Sequence, residues 1–307
     1  MKKKLTYFTP AYNRAHTLPR LYESLVAQTN NNFVWLIIDD GSKDNTEELV
    51  KAWIEEGQIE IEYIKKENGG KHTAIDLSNQ VCKTEYINCI DSDDYLSFDS
   101  TEVVLKYLDE VSADESLCGI VARRAHYGGK PFNESFPKKA EKLYFGELAS
   151  KYGYTQDTNL IFKTAVVKNY HFPVFEDERF VTESVFYRQF MYTYKMMAIP
   201  ELLYLAEYQE DGYSVQGLNL FLKNPKGFLC TLKQDVYFNI KHKGRFLRTI
   251  RLSASYYAWK RVFRIKTNVM PELKINWFYR LCGNLLKCIL VPRYKAKFLE
   301  FKNNRKK

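Results

Sequence analysis

An acidic cluster follows a short apolar segment in the first third of the chain. The letters CIDSDDYL place Asp91, Asp93 and Asp94 directly after residues 85–90, whose apolar and aromatic content indicates a strand. A divalent cation bound to a nucleotide diphosphate needs only one or two carboxylate ligands, because phosphate oxygens and water fill its other positions. Of two aspartates separated by one residue, one can therefore face the metal and the other the ribose hydroxyls. The spacing predicts a metal-assisted nucleotide site.

The side chains around this cluster indicate which metal it would take. No histidine or cysteine adjoins the aspartates, so the ligand set favours Mn²⁺ or Mg²⁺ over zinc. The six cysteines form no CxxC pair and mostly lie in apolar stretches, which is typical of reduced thiols in the cytosol. The sequence therefore predicts Mn²⁺ or Mg²⁺ as cofactor, and neither a zinc site nor disulfides.

Apolar runs alternate with amphipathic stretches through the first 122 residues. Runs rich in β-branched and aromatic residues indicate strands, and stretches of helical periodicity follow each of the first four. The predicted strands are Leu5–Thr9, Phe33–Asp39, Ile59–Lys65, Tyr86–Ile90 and Leu117–Ala122. The predicted helices are Thr17–Gln28, Asp44–Glu56, Gly70–Val81 and Ser100–Glu110. This βαβα order predicts an α/β fold with a mostly parallel sheet and helices on both faces.

Each of the first four predicted strands ends in a polar segment. The segments read FTPAYNR, IIDDGSKDN, KKENGGK and IDSDDY. Ligands of such sheets bind at the carboxyl ends of the strands. Taken alone, each segment also fits a turn or a helix cap. Four segments facing one edge of the sheet favour a binding site over capping alone.

The second and third strand ends carry groups suited to a nucleotide. Asp39 and Asp40 place a carboxylate where it can accept a hydrogen bond from a base N–H, whereas Asp44 is predicted to cap the next helix. In ENGGK, Asn68 and two glycines, which allow close backbone approach, precede Lys71 at a helix start, where phosphate is favoured.

These motifs together resemble a known family. TPAYNR, IIDDGSKDNT, ENGGKHTA and IDSDDYL, in this order and spacing, are similar to the nucleotide-sugar half of family 2 glycosyltransferases, which have the Rossmann-like GT-A fold. The resemblance covers about residues 5–100. It implies an enzyme that uses a nucleotide-sugar donor, in particular a UDP-sugar.

The resemblance also implies roles for residues at the strand ends. Pro10 and Tyr12 would line the base pocket, and Asp40 would bind uracil. Arg14 and Lys71 would contact the diphosphate. The full set of implied donor-binding residues is Pro10, Tyr12, Arg14, Asp39, Asp40, Asn68, Lys71, Asp91, Ser92 and Asp93.

The sequence does not settle which aspartate of the DSDD cluster has which role. By resemblance, Asp91 or Asp93 would contact the ribose, and Asp93 or Asp94 would hold the metal. Both Asp93 and Asp94 are therefore candidate metal ligands.

A later segment supplies a candidate catalytic base. FEDERFVTESVF resembles the family segment in which a DE pair is followed by an ED pair at a helix start, although here the second pair reads Glu183–Ser184. In the family, the residue at Glu183 is the proposed general base for an inverting transfer, placed on the far side of the sugar from the diphosphate. Glu178 is the next candidate, and an ordinary helix start is the alternative. Serine in place of aspartate leaves the role of position 184 open.

The charge of the chain is unevenly distributed. The formal net charge is +9, yet from Lys241 onward 19 Lys and Arg residues face only Glu272 and Glu300, which amounts to +17. Within this region Ile275–Leu290 has helical periodicity, with one stripe comprising Phe278, Leu281, Cys282, Leu285, Leu286 and Ile289. A basic helix of this kind fits an anionic membrane surface, and equally a helix packed on the catalytic domain. No nucleic-acid partner is predicted, because no binding motif accompanies the charge.

The same sequence features set the expected location. No apolar run approaches the roughly 18 residues of a membrane span. The opening MKKK precedes a segment that is too short and polar for a signal peptide. We therefore expect a cytoplasmic protein that can lie peripherally on the inner face of the cell membrane.

The predicted function is sugar transfer from a nucleotide-sugar donor to a hydroxyl of a glycan or lipid-linked acceptor. We expect a GT-A domain over residues 1–217 and a helical basic region over residues 218–307. YQEDGYS, residues 208–214, fits either acceptor-side contacts or a plain turn.

One alternative to a glycosyltransferase is a non-catalytic nucleotide-sugar or glycan-binding protein, against which Asp93 and Glu183 argue. Another is a sugar-nucleotide nucleotidyltransferase, which needs a Gly-rich basic loop after the first strand that this chain lacks.

Overall fold

The computed structural model describes residues 3–206 and 217–304, which form two compact units. The first unit comprises Met1–His171 and Gln189–Glu210, and the second comprises Phe172–Arg188 and Asp211–Lys307. The segment Phe172–Arg188, which the sequence analysis assigns to the catalytic domain, therefore groups with the C-terminal helices.

The first unit is built on a nine-stranded sheet. Its strands are β1 (Leu5–Ala11), β2 (Phe33–Asp39), β3 (Ile61–Lys65), β4 (Tyr86–Cys89), β5 (Tyr95–Leu96), β6 (Leu117–His126), β7 (Glu141–Leu143), β8 (Thr158–Lys163) and β9 (Lys195–Ala206). The strand order is β3-β2-β1-β4-β8-β6-β9-β5, with β7 on β9. The predicted α/β fold with a helix-flanked sheet is confirmed.

Helices flank this sheet. They are α1 (Leu18–Val26), α2 (Thr46–Glu56), α3 (Lys71–Val81), α4 (Ser100–Ala113), α5 (Phe145–Tyr152) and α6 (Thr164–Val167). Each of the first four lies within three residues of its predicted bounds, because each carries apolar side chains at helical spacing that pack on the sheet. The predicted βαβα alternation through residue 113 is therefore correct, except that the two-residue strand β5, which was not predicted, lies between β4 and α4.

The far half of the sheet departs from the mostly parallel arrangement. Strands β1 to β4 are mutually parallel, but β8 runs antiparallel to both β4 and β6. Strand β9 is a single strand that continues through Pro200 and Glu201. Pro200 and Glu201 lie where the pairing with β6 shifts register, so the missing N–H of proline breaks no ladder bond there.

Strand β2 is buried along its whole length, as expected of a central parallel strand covered on both faces. On one face Trp35 stacks with Tyr22 of α1 and Trp53 of α2, with ring centroids 6.1 and 5.8 Å away. The Trp35 indole N–H donates to Thr9 Oγ1 at 3.0 Å, which satisfies the one polar group of the ring. This packing holds β1 and β2 rigidly beneath the loops that follow them.

The described part of the second unit is helical. It contains α7 (Glu183–Tyr187), α8 (Leu218–Lys223), α9 (Pro225–Lys241), α10 (Phe246–Val262) and α11 (Trp277–Asn304). Trp259 of α10 lies at the centre, with ring centroids 4.7 Å from Phe228 and 5.3 Å from Tyr294. Within the described ranges, no helix is both long enough and apolar enough to cross a membrane.

Candidate active site

The carboxyl ends of β1, β2, β3 and β4 meet at one edge of the sheet, because these strands are parallel. Hydrogen bonds tie the first two of the loops that follow. The Asn13 N–H donates to Ser42 Oγ at 2.8 Å, and the Lys43 N–H donates to Asn13 Oδ1 at 2.8 Å. Asn13 has a positive φ of 54°, which asparagine tolerates better than most residues. The loops after β1 and β2 are thus tied directly to each other.

Asp40 joins the second loop to the third. Its carboxylate accepts the N–H groups of Gly69 at 2.9 Å and Gly70 at 2.7 Å, and Lys66 Nζ lies 2.5 Å from Oδ1. Gly41 makes this contact sterically feasible, since its φ is 85° and a Cβ there would lie 3.0 Å from the backbone nitrogen of Asn68. Asp40 therefore shapes the Gly-Gly loop directly.

Asp39 lies deeper than the sequence suggests. It is fully buried, with Oδ1 accepting the Ser42 N–H at 2.7 Å and Oδ2 accepting the Tyr63 hydroxyl at 2.5 Å. Asp44 accepts the N–H of Thr46 at 3.2 Å and its hydroxyl at 2.6 Å, but the N-cap of α2 is Asn45, so the predicted capping residue lies one position before the cap. These two carboxylates hold the turn together.

Lys71 links the third loop to the acidic cluster. Its Nζ lies 2.5 Å from Asp91 Oδ1, and it is the first residue of α3. Although burial acts to raise the pKa of Asp91, the charges of Lys71, Arg124 and Arg14 outweigh it and hold that pKa below its usual value. A cation on a helix N-terminus beside a carboxylate is suited to exchanging that carboxylate for phosphate.

The other two aspartates of the cluster repel Asp91. Burial and the charge of Asp91 raise the pKa of Asp93, and burial and Asp91 raise the pKa of Asp94 to about 7. Asp93 is half-buried, whereas Asp94 is buried and accepts a hydrogen bond from Tyr204. Repulsion among neighbouring carboxylates is what a bound cation relieves, so this donor set fits one divalent metal on Asp93.

The remaining ligands of such a metal would come from donor phosphates and water. In residues 3–206 and 217–304, no three His, Cys, Asp or Glu side chains are grouped closely enough to hold a metal by themselves. One or two carboxylates suffice for a cation shared with a diphosphate.

Two residues that were not predicted as part of the site, Arg124 and Tyr204, contact the acidic cluster or one another. The Tyr204 hydroxyl accepts the Asp91 N–H at 2.9 Å, and the Arg124 guanidinium lies 3.9 Å from the Tyr204 ring centroid. Both residues come from strands, β6 and β9, that are adjacent and parallel. The sequence carries one local sign of Arg124. The pair Arg123–Arg124 directly follows the predicted strand Leu117–Ala122, and the observed strand β6 continues through it to His126.

The candidate base segment belongs to the second unit. Glu183 is the first residue of α7 and is half-buried, and the Tyr187 hydroxyl donates to its Oε2 at 3.0 Å. The short helix is fixed to α9, because Gln234 donates to the Val185 carbonyl at 2.8 Å. Ser184, in place of the family aspartate, lies 3.0 Å from the Thr182 hydroxyl.

Glu178 has a structural role. It is buried, and its two oxygens accept the N–H groups of Lys226 at 2.7 Å and Gly227 at 2.8 Å, at the start of α9. Burial raises its pKa, although these two N–H groups oppose the shift. A carboxylate occupied in this way cannot readily accept a proton from a substrate.

We expect Glu178→Ala to lower the free energy of unfolding by about 2 kcal/mol, because it leaves two helix N-terminal N–H groups without an acceptor. Urea unfolding followed by circular dichroism measures the change. Glu176→Ala, an exposed carboxylate two residues earlier, is the matched control and should change little. Equal stability of the two variants would contradict the capping role.

The structure brings the predicted donor residues to one edge of the first unit. Tyr12 is exposed at the end of β1 and Pro10 is partly buried beside it, while Ser92 is buried. The segment YQEDGYS lies outside the described residues, so its role stays a prediction.

The chain is similar to known proteins in both sequence and fold. The family model described as "Glycosyl transferase family 2" matches residues 6–171, more than half of the chain. Glycosyltransferase GlyG of Streptococcus pneumoniae is 24% identical over 220 residues, which cover 67% of this chain and 71% of that protein. An uncharacterized glycosyltransferase of Rickettsia felis is 36% identical over 107 residues, or 35% of this chain. The chain spans only 17% of the length of that relative.

Two solved structures share the fold. Staphylococcus aureus TarS 1–349 in complex with UDP-GlcNAc has a TM-score of 0.60 at 17% identity, covering 91% of this chain and 78% of that chain. The mannosyltransferase PcManGT from Pyrobaculum calidifontis, in complex with GDP-Man and Mn²⁺, has a TM-score of 0.55 at 13% identity, covering 95% and 86%. Because both identities are below 20%, this similarity shows the fold alone, which is the GT-A architecture.

Proposed function

The chain belongs to glycosyltransferase family 2, and from this premise we propose that it transfers a sugar from a UDP-sugar to a hydroxyl of a glycan or lipid-linked acceptor, with inversion and with a divalent metal. The observation that carries the proposal is the set of tied loops at the strand ends, where Lys71 pairs with Asp91 beside the half-buried Asp93.

In the proposed donor complex, each loop contacts one part of the nucleotide. Tyr12 and Pro10 line the base pocket, and the loop shaped by Asp40 and the two glycines forms its wall. Asp91 binds the ribose. Asp39 has no direct contact in this proposal, because it is fully buried within its turn.

The diphosphate lies where the positive groups are. Arg14 and Lys71 bind it, and Lys71 exchanges part of its pairing with Asp91 for phosphate oxygens. Asp93 holds the Mn²⁺ or Mg²⁺ ion, which when bound neutralises charge on the leaving diphosphate. Asp94, buried against Tyr204, positions the Asp93 loop in this proposal.

Glu183 is the proposed general base. As the acceptor oxygen attacks the anomeric carbon, its hydroxyl proton passes to the Glu183 carboxylate. The bond from the anomeric carbon to the phosphate oxygen breaks, and UDP leaves with the electron pair. Attack from the side opposite the leaving group inverts the configuration.

We expect UDP and one UDP-sugar to raise the melting temperature in the presence of Mn²⁺, since a ligand that binds only the folded state stabilises it. At a concentration 100 times Kd, the gain is about 2.7 kcal/mol. A thermal-shift screen of UDP, of UDP-, GDP-, CMP- and dTDP-sugars, and of UTP and sugar 1-phosphates measures this, with EDTA as the metal-free control. Stabilisation by a nucleoside triphosphate and a sugar phosphate, but by no nucleoside diphosphate, would instead indicate a nucleotidyltransferase. Failure of all sugar nucleotides to stabilise the protein would contradict the proposal.

A further inference from the structure

Helix α11 packs on α10 along one side. Ser253 Oγ donates to the Tyr279 carbonyl at 2.6 Å, and a Cβ on Gly283 would lie only 2.4 Å from Ser253 Oγ. Further along, the rings of Phe298 and Phe263 lie 4.8 Å apart. This side explains why part of the helix is apolar. The packing is on α10 of the same unit, whereas the packed-helix alternative named the catalytic domain.

The opposite side of α11 is apolar and has no such packing. Trp277, Leu281, Leu285 and Ile289 follow one another every four residues and therefore lie along one side of the helix. All four are exposed, from 50% for Leu281 to 74% for Trp277. Scattered apolar residues are normal on a surface, but a continuous row marks an interaction site.

The start of α10 extends this row. Phe246 and Leu247 are exposed, and the Phe246 ring lies 5.8 Å from the ring of Phe278 at the start of α11. We define the α10–α11 patch as the six exposed side chains Phe246, Leu247, Trp277, Leu281, Leu285 and Ile289. Their aromatic members lie at one end, where the two helices begin.

Exposed cations lie close in sequence to the starts of both helices. They are Lys241, Lys243, Arg245, Arg248, Arg251, Lys274 and Arg280. Between residues 241 and 251 the sequence has no acidic residue, and only Glu272 and Glu300 follow in the rest of the chain. The apolar patch is therefore set in a strongly positive field.

We propose that the α10–α11 patch binds an anionic lipid surface. Apolar and aromatic side chains would enter the interfacial region while the surrounding Lys and Arg side chains contact acidic headgroups. A second copy of this chain is disfavoured as the occupant, because it would bring two strongly positive surfaces together. A nucleic acid could bind the cations, but it would not explain the exposed apolar side chains of the patch. This proposal is independent of the donor chemistry.

Vesicle flotation with the full chain tests the proposal. The protein should bind vesicles of equal parts phosphatidylglycerol and phosphatidylcholine, and it should bind pure phosphatidylcholine much less. Binding should weaken as salt rises from 50 to 500 mM, because the Debye length shrinks from about 14 Å to about 4 Å. Equal binding to both vesicle types, or none to the anionic vesicles at low salt, would overturn the proposal.

Two variants separate the apolar and electrostatic contributions. Leu285→Ser with Ile289→Ser should lower binding to anionic vesicles by roughly ten-fold or more, since two apolar side chains no longer enter the interface. Arg248→Ala with Arg251→Ala should lower it by roughly 30-fold, from about five-fold per cation. All four altered side chains are exposed, so both variants should fold as the parent does, and unchanged melting temperatures are required of both.

Matched controls lie in the first unit. Phe98→Ser removes an exposed aromatic side chain, and Lys138→Ala with Lys139→Ala removes two exposed cations. Both should bind anionic vesicles as the parent does. If the controls weaken binding as much as the patch variants, the attraction is non-specific and the proposal fails. A parent that is dimeric in solution, with patch variants that are monomeric, would assign the patch to a second copy instead.

Discussion

Replacing Glu183 with glutamine should slow sugar transfer by about 10²–10⁴ and leave UDP-sugar affinity unchanged. Glutamine keeps the shape of the side chain and can still accept the Tyr187 hydroxyl, which lies 3.0 Å from Oε2, but it cannot take a proton from the acceptor. Steady-state transfer rates and calorimetric titration of the donor separate the two effects.

Glu176→Gln is the matched control for this result, because it neutralises an exposed carboxylate in the same segment. It should transfer sugar at the parent rate. Because Glu178 is buried and occupied by two N–H groups, a Glu183→Gln variant with parent activity would place the base on a different residue altogether. The donor-binding half of the proposed function would survive that outcome.

Replacing Asp93 with asparagine should abolish the metal-dependent part of UDP binding. Loss of a residue that only supports a metal ligand already costs roughly 10–100-fold in metal affinity, so loss of the ligand itself should weaken Mn²⁺-dependent binding by at least roughly 100-fold. Calorimetry of UDP with Mn²⁺ and with EDTA measures this. The affinity of the variant in Mn²⁺ should match that of the parent in EDTA.

The same variant should be at least as stable as the parent when no metal is present. Asp93 is half-buried near Asp91, and both burial and that charge disfavour its ionised form, so a neutral side chain removes a repulsion. Asp109→Asn, on the exposed surface of the same unit, is the control for both measurements. Metal-dependent binding that persists in Asp93→Asn would move the metal to another carboxylate, with Asp94 the first to test.

Local sequence patterns alone predicted the order of the helices and the longer strands through residue 113, and missed the two-residue strand β5. Local periodicity encodes which face of an element is buried, and this holds for α2, predicted at Asp44–Glu56 and observed at Thr46–Glu56. The sequence also determined that polar groups gather at one edge, since the ends of parallel strands must meet there. The uneven charge was likewise visible before any fold was known.

Which of those polar groups are buried in structural hydrogen bonds and which stay accessible depends on contacts between distant parts of the chain. Asp39 and Asp40 are neighbours in the sequence but have different surroundings. Asp39 is buried and accepts the Tyr63 hydroxyl, whereas Asp40 accepts the N–H of Gly70, about 30 residues away. Arg124 and Tyr204 lie beneath the acidic cluster because β6 and β9 pair, a contact between residues 80 positions apart. Such contacts join side chains distant in the chain, and the burial and charge they impose have no periodic signature.

The same reason applies to the C-terminal helices. The sequence showed that α11 is apolar and basic, and it left packing and membrane contact as equal alternatives. The structure divides the helix between two surfaces, one against Ser253 of α10 and one in solvent along Leu281 and Ile289. A hydrophobic stripe in the sequence indicates that α11 has apolar surface to bury. Which side of α11 is actually buried depends on the shape of α10, against which it packs.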